Sequence, residues 1–306
     1  MLGEHDFAEF IPAMIKANRR RDGSFKEYPA QISPCGENYN ITYRVPVHNQ
    51  TGNTGRTRKI MHLFPRKVNI DTFCLEGIGL LQGEMSKTHR GPLTICNSEP
   101  HIIRHFLKWF EDYIDFTPDK WHWYIRTNLP PFDDELNAVL TGELIEHWMA
   151  ECDVAYEMRY PKTLTFTPSS KNTVANNEGS LLLECRGNVF VQTVQRFVKK
   201  VTAEISEAPK EAIVAYMKGV FAAESCINYR LETGHRRVFI TATNQEERSI
   251  FQRCLKKLGV DSYDCKKISH LVISRRKNIE RLDTLGLLSL HPVKHARFRE
   301  MLSSYQ

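Results

Sequence analysis

The sequence has no apolar run long enough to span a bilayer. Its eight cysteines include no Cys-x-x-Cys pair, which argues against a zinc site of ordinary spacing. They read instead as reduced, mostly buried thiols of an intracellular protein. The first residues, Met1 to Asp6, lack the charged-then-apolar order of a secretory signal, and the terminal residues of an intein splice junction are missing as well. No membrane or secreted role is therefore expected. With 41% hydrophobic and 25% charged residues, the composition is that of an ordinary globular chain. Its 306 residues suffice for two domains, or for two halves of one larger unit.

A net charge of +6 conceals an uneven distribution. Residues 1–70 carry 11 Lys/Arg against 6 Asp/Glu, and residues 245–306 carry 13 against 7. Residues 111–157 carry only 2 against 12. Basic segments suit a polyanionic partner, although a solvated surface accounts for many charge runs of this size.

Two stretches stand out: Gly77-Ile78-Gly79-Leu80-Leu81-Gln82-Gly83-Glu84 and Met217-Lys218-Gly219-Val220-Phe221-Ala222-Ala223-Glu224. Each is apolar, has small residues one helical turn apart (Gly79 and Gly83, Gly219 and Ala223), and ends in a glutamate. Small residues on one face allow two helix backbones to approach closely. The glutamates would then lie side by side at helix C-termini, where the dipole disfavours an acid. A cation between them would resolve the conflict.

Each half repeats one order that begins with its motif helix: helix, two strands, helix, two strands, helix. In the first half, Asn97-Ser98-Glu99-Pro100 opens a helix, the aromatic run Trp121 to Arg126 alternates as a strand, and Ser180 to Arg186 is another. In the second half, Cys226 to Glu232 and Arg237 to Thr243 form a hairpin around Thr233-Gly234-His235, and Asn244 with Glu247 has capping-box spacing. The motif glutamates are 140 residues apart and the caps Asn97 and Asn244 are 147 apart. From cap to closing helix the first half spans 91 residues and the second 34, so the first carries 57 more, including most of the acidic block. Expected boundaries are a basic N-terminal extension at 1–70, a first half at 71–205 and a second at 206–306. In the extension, Phe7 to Lys16 suggests a short helix, and Thr51 to Lys59 a loop with the cations Arg56, Arg58 and Lys59.

These motifs and the repeat resemble the LAGLIDADG homing endonucleases, in the single-chain form with two pseudo-symmetric halves. The resemblance covers about residues 71–300 and extends to Leu285-Gly286-Leu287 and Pro292-Val293-Lys294. It implies an α+β fold of two αββαββα halves, whose two antiparallel sheets form a DNA-binding saddle. It also implies a monomer that makes a staggered cut in duplex DNA at a long, non-palindromic site, with Mg2+ held by Glu84 and Glu224. A metal ion there would activate water and stabilise charge. The family's closing glycine is replaced by Met85 and Ser225. The family also places a basic residue near the end of each fourth strand, for which Arg186 and Arg276 are the nearest candidates and Arg275 a competitor. Arginine stabilises phosphate charge but is a poor proton carrier.

For DNA contact, period two puts Asn228, Arg230 and Glu232 on one face and Ile227, Tyr229 and Leu231 on the other, with Arg237 on the next strand. Ser86, Thr88 and Arg90 share a face in the first half. Arg56, Arg58 and Lys59 would add backbone contacts if the extension is an arm along DNA; a small packed extension is the alternative. A protein of the same fold that binds nucleic acid without cutting, an intron maturase or a regulator, is the second functional reading.

Overall fold

The computed structural model describes residues 2–19, 24–49, 52–85, 92–127, 134–153, 165–166, 179–232 and 234–305. The first seventy residues are a β unit. Strand β1 (Gly3–Asp6) pairs with β7 (Lys67–Ile70), β2 (Met14–Arg19) with β3 (Phe25–Pro29), and β4 (Gln31–Cys35), β5 (Asn38–Asn49) and β6 (Gly52–Pro65) form an antiparallel sheet. The expected helix at Phe7 to Lys16 is a single 3-10 turn, Phe7–Phe10, followed by β2. The expected basic loop lies on β6, where Arg58 pairs with Val45 and Lys59 with Arg44.

The first half consists of α1 (Thr72–Glu84), β8 (Leu93–Asn97), α2 (Pro100–Ile114), β9 (His122–Thr127), α3 (Asp134–Cys152), β10 (Thr165–Phe166), β11 (Ser180–Cys185) and α4 (Asn188–Glu204). The second consists of α5 (Lys210–Glu224), β12 (Ser225–Arg230), β13 (His235–Thr241), α6 (Gln245–Lys257), β14 (Tyr263–Cys265), β15 (His270–Ile273), α7 (Arg276–Thr284) and α8 (Pro292–Ser303). The sheet orders are β10-β9-β11-β8 and β12-β13-β15-β14. Matching β8 to β13, β11 to β15 and β9 to β14 superposes the two topologies. Ser86, Thr88 and Arg90 lie outside the described residues. Strand β10 is an addition from the long insertion and runs parallel to β9, so the first sheet is not wholly antiparallel.

Each sheet turns one face inward. Leu93, Ile95, Trp123, Ile125, Leu181 and Leu183 are buried in the first, and Ile227, Val238, Ile240, Leu271 and Ile273 in the second. This alternation is what period two demands of a sheet with one covered face. The β unit docks on α4: Phe10 packs on Phe197 (ring centroids 4.4 Å) and Phe64 on Phe190 (5.9 Å). Gln192 accepts from the Lys16 amide (3.0 Å) and donates to the Lys16 carbonyl (2.9 Å), occupying the place of a neighbouring strand. The extension is thus packed against the first half. The buried thiols are Cys74, Cys152, Cys185 and Cys254, whereas Cys35 and Cys226 are exposed.

Candidate acidic centre and sheet faces

Helix α1 starts where the Asp71 carboxylate accepts from the Cys74 amide (2.8 Å); Tyr113 donates to the same oxygen (2.6 Å). Helix α5 starts behind Pro209. The two helices then cross with their backbones touching. A Cβ built on Gly79 would lie 2.1 Å from the Tyr216 carbonyl oxygen, and one on Gly219 would lie 2.0 Å from that of Glu76. Only glycine fits either position. Lys218 pairs with Glu76 across the crossing (3.4 Å). Gly77 serves a second approach, since its Cβ would meet the Trp109 ring at 2.0 Å. That indole donates to the Cys74 carbonyl (3.0 Å).

The crossing brings the helix ends together. A Cβ on Gly83 would lie 2.5 Å from that of Ala223 and 2.8 Å from the Glu224 Cγ. The Glu84 carboxylate accepts from the Asn97 side chain (3.1 Å). Burial pushes its pKa up to about 7; Lys294 draws it back, Glu224 adds to the rise, and the Asn97 bond opposes it. Both helices pass straight into extended chain, Met85 at φ −72° and Ser225 at φ −81°, values any residue adopts. The absent closing glycines are therefore not needed for this backbone.

A lysine supplies a cation at the acids. The Lys294 ammonium donates to the carbonyls of Ala222 (2.5 Å) and Ala223 (3.0 Å), in the last turn of α5. Burial pulls its pKa down, while the charges of Glu84 and Glu224 hold it up. Lys294 sits in the first turn of α8, whose cap is His291: its Nδ1 accepts from the Lys294 amide (3.3 Å). Burial, then the nearby ammonium, pushes the His291 pKa down to about 4, so the ring stays a neutral acceptor.

The open face of the first sheet holds a groove of about 440 Å³ lined by Glu84, Thr94, Cys96, Tyr124, Arg126, Leu182 and Glu184. Registers explain the set: Leu182 pairs with Cys96 and Tyr124, Glu184 with Thr94, and Ser180 with Arg126. Tyr124 and Arg126 escaped the sequence reading, although the alternation of Trp123, Tyr124, Ile125 and Arg126 already puts them opposite the buried pair. On the second sheet Asn228 pairs with Arg237, and Arg230 with His235. Arg230 and Arg237 are exposed, as expected. Glu232 is not on this face: β12 ends at Arg230, and Leu231 and Glu232 belong to the turn, with Leu231 63% exposed instead of covered by helices.

Arg186 and Arg276 stand elsewhere. Leu181 pairs with Asn97 and Cys185 with Leu93, so β11 begins beside the acids and runs away from them, about 14 Å along the strand. Arg186, at the far end, pairs with Glu184 (2.5 Å). Likewise β15 runs outward, and Arg276 pairs with Glu280 (2.7 Å) and donates to the Tyr305 carbonyl (2.9 Å). Arg275 caps α7 at φ 69°. Arg56, Arg58 and Lys59 are exposed on β6. Asn244 caps α6 by accepting from the Glu246 amide (2.8 Å), and Glu247 accepts from Gln82 of α1 (2.9 Å).

Carboxylate oxygens suit a hard divalent cation. Among the described residues no three His, Cys, Asp or Glu groups converge on one point, so Glu84 and Glu224 alone would not complete the coordination shell of such an ion. Phosphate oxygens and water would have to complete it.

No helix among the described residues is long and apolar enough to cross a membrane. No family model matches the sequence, and neither does any curated protein. Among solved structures the fold is similar to a mesophilic variant of the homing endonuclease I-DmoI, at 18% identity over 70% of this chain and 94% of that one, with a TM-score of 0.36. It is similar to I-DmoI in complex with DNA and Mn at 15% identity over 70% and 96%, TM-score 0.31. It is also similar to the N-terminal LAGLIDADG domain of DUF199/WhiA, at 10% identity over 71% and 82%, TM-score 0.33. At such identities and scores the functional reading rests on the residues themselves.

Proposed function

We propose that this chain is a duplex-DNA endonuclease of the LAGLIDADG type, acting as a monomer, with Glu84 and Glu224 as the metal-binding pair. The observation that carries the reading is the junction of two glutamates at the touching ends of α1 and α5, with Glu84 lining the groove of the first sheet and Glu224 directly preceding the second sheet's β12. Two carboxylates at dipole-negative helix ends are a costly arrangement for folding alone. A divalent ion, Mg2+ in this reading, would supply water activation and charge stabilisation there. Asn97 orients the Glu84 carboxylate through its bond. Gly83 leaves room for Glu224 beside α1.

In this reading the major groove faces the two sheets, since a groove of that width admits β-ribbons. Arg126 shares the groove with Glu84 and is the cation we assign to the phosphate nearest the acids. Asn228, Arg230 and Arg237 reach base edges in the other half-site, and Arg186, Arg275 and Arg276 contact backbone farther out. The β unit adds Arg56, Arg58 and Lys59 to the phosphate contacts. Because the halves differ, the site is long and non-palindromic. The test is Mg2+-dependent cutting of a randomised plasmid library: recurrent cuts at one sequence support the reading. Binding without cutting at any sequence would favour the second reading, a DNA-binding protein of the same fold, which the ammonium beside the acids makes physically reasonable.

A further inference from the structure

We propose that Lys294 is the resident counter-ion of the two glutamates, so that the free protein excludes the divalent ion and takes it up together with a DNA phosphate. The inference rests on the reading of Glu84 and Glu224 as metal ligands and says when that metal enters.

Three observations carry it. The ammonium donates to the Ala222 and Ala223 carbonyls, directly before Glu224, in a final turn of α5 that has no basic residue of its own. Its charge acts on both Glu84 and Glu224, which lie on different helices. Its position is fixed from behind: the His291 ring caps the turn from which Lys294 projects, Pro292 opens α8, and Phe298 and Met301 anchor that helix in the core.

The charges then set the order of events. With both acids ionised, two carboxylates and one ammonium sum to a single negative charge, a weak attraction for a dication that must also approach the ammonium. Repulsion between like charges at short range is large in a partly buried site. A scissile phosphate restores the missing negative charge and brings oxygen ligands of the kind Mg2+ accepts. The ammonium keeps two carbonyl acceptors at the α5 terminus, a place that suits a cation at a helix end, so it need not leave when the metal arrives.

The experiment is Mn2+ binding to the full-length protein without DNA, read from the EPR signal of the free ion. Wild type should bind weakly, without saturation at micromolar Mn2+. Lys294→Gln keeps a donor toward the helix carbonyls and loses the charge; it should tighten binding by about tenfold or more. Lys294→Arg keeps the charge and should remain as weak as wild type. Adding Glu84→Gln to Lys294→Gln should abolish the gain. Micromolar saturation by wild type overturns the proposal, and so does a folded Lys294→Gln protein that binds no better than wild type. If Lys294→Gln does not fold, wild type and Lys294→Arg decide: weak binding by both supports the proposal, and micromolar binding by either overturns it. The reading of the glutamates fails separately, if tightened binding in Lys294→Gln survives both Glu84→Gln and Glu224→Gln.

Discussion

Glu84 is half-ionised near neutrality, and stability should report it. Its folded pKa of about 7 lies above the unfolded value of 4.5, raised first by burial and then by Glu224. Folding therefore takes up a proton between these values, and native stability is lost as pH rises from 4.5 through 7. Glu84→Gln should gain on the order of 3 kcal/mol at pH 8 in metal-free buffer and nothing below pH 4.5. A variant less stable than wild type at pH 8 would contradict the crowding of charges. His105 should act in the opposite direction. Buried against Phe73, with its Nε2 unpartnered, it is pushed down to about 4 by burial, with a smaller effect from His101. The unfolded ring protonates at 6.5, so stability falls as pH drops from 6.5 toward 4, by on the order of 3 kcal/mol. His105→Gln should flatten the dependence of Tm on pH over that range; an unchanged slope would place the acid sensitivity elsewhere.

The crossing of α1 and α5 is the element on which both halves depend, and it leaves no room for side chains. Gly79→Ala or Gly219→Ala must push a methyl into backbone atoms about 2 Å away. Each should cost about 3 kcal/mol or more in urea unfolding, at the upper end of overpacking effects. A cost below about 0.5 kcal/mol, the level of a neutral surface change, would mean the helices do not touch there. This crossing was legible in the sequence because a small residue every turn and a terminal acid are local signals. The strands of the second half were legible because one covered face imposes period two. The N-terminal unit was not: Phe7 to Lys16 has apolar spacing that suits a helix, yet Phe10 packs on Phe197 and Gln192 satisfies the Lys16 backbone. These partners are nearly 200 residues away in sequence, beyond the reach of any local pattern. The same holds for Lys294, which reaches Glu224 across 70 residues and Glu84 across 210. The two acids themselves called for a cation; nothing local named the residue that supplies it.

At the scale of the whole molecule, the cations and the acidic centre are expected to act separately. The cations of β6 should add affinity without sequence preference. Replacing Arg56, Arg58 and Lys59 by alanine should weaken specific and random duplex alike, and flatten the log–log salt slope by about 0.9 for each phosphate no longer neutralised. An unchanged slope would return the hairpin to bulk solvent. The acidic centre should behave in the reverse way, leaving DNA binding intact and deciding cleavage. The most direct test is to follow nicking and double-strand cutting of one plasmid in Mg2+ by wild type, Glu84→Gln and Glu224→Gln, with duplex binding measured in Ca2+ alongside. The account predicts that all three proteins bind comparably, that wild type cuts both strands, and that each variant loses cutting of both strands together. Wild-type rates of cutting in both variants would contradict it.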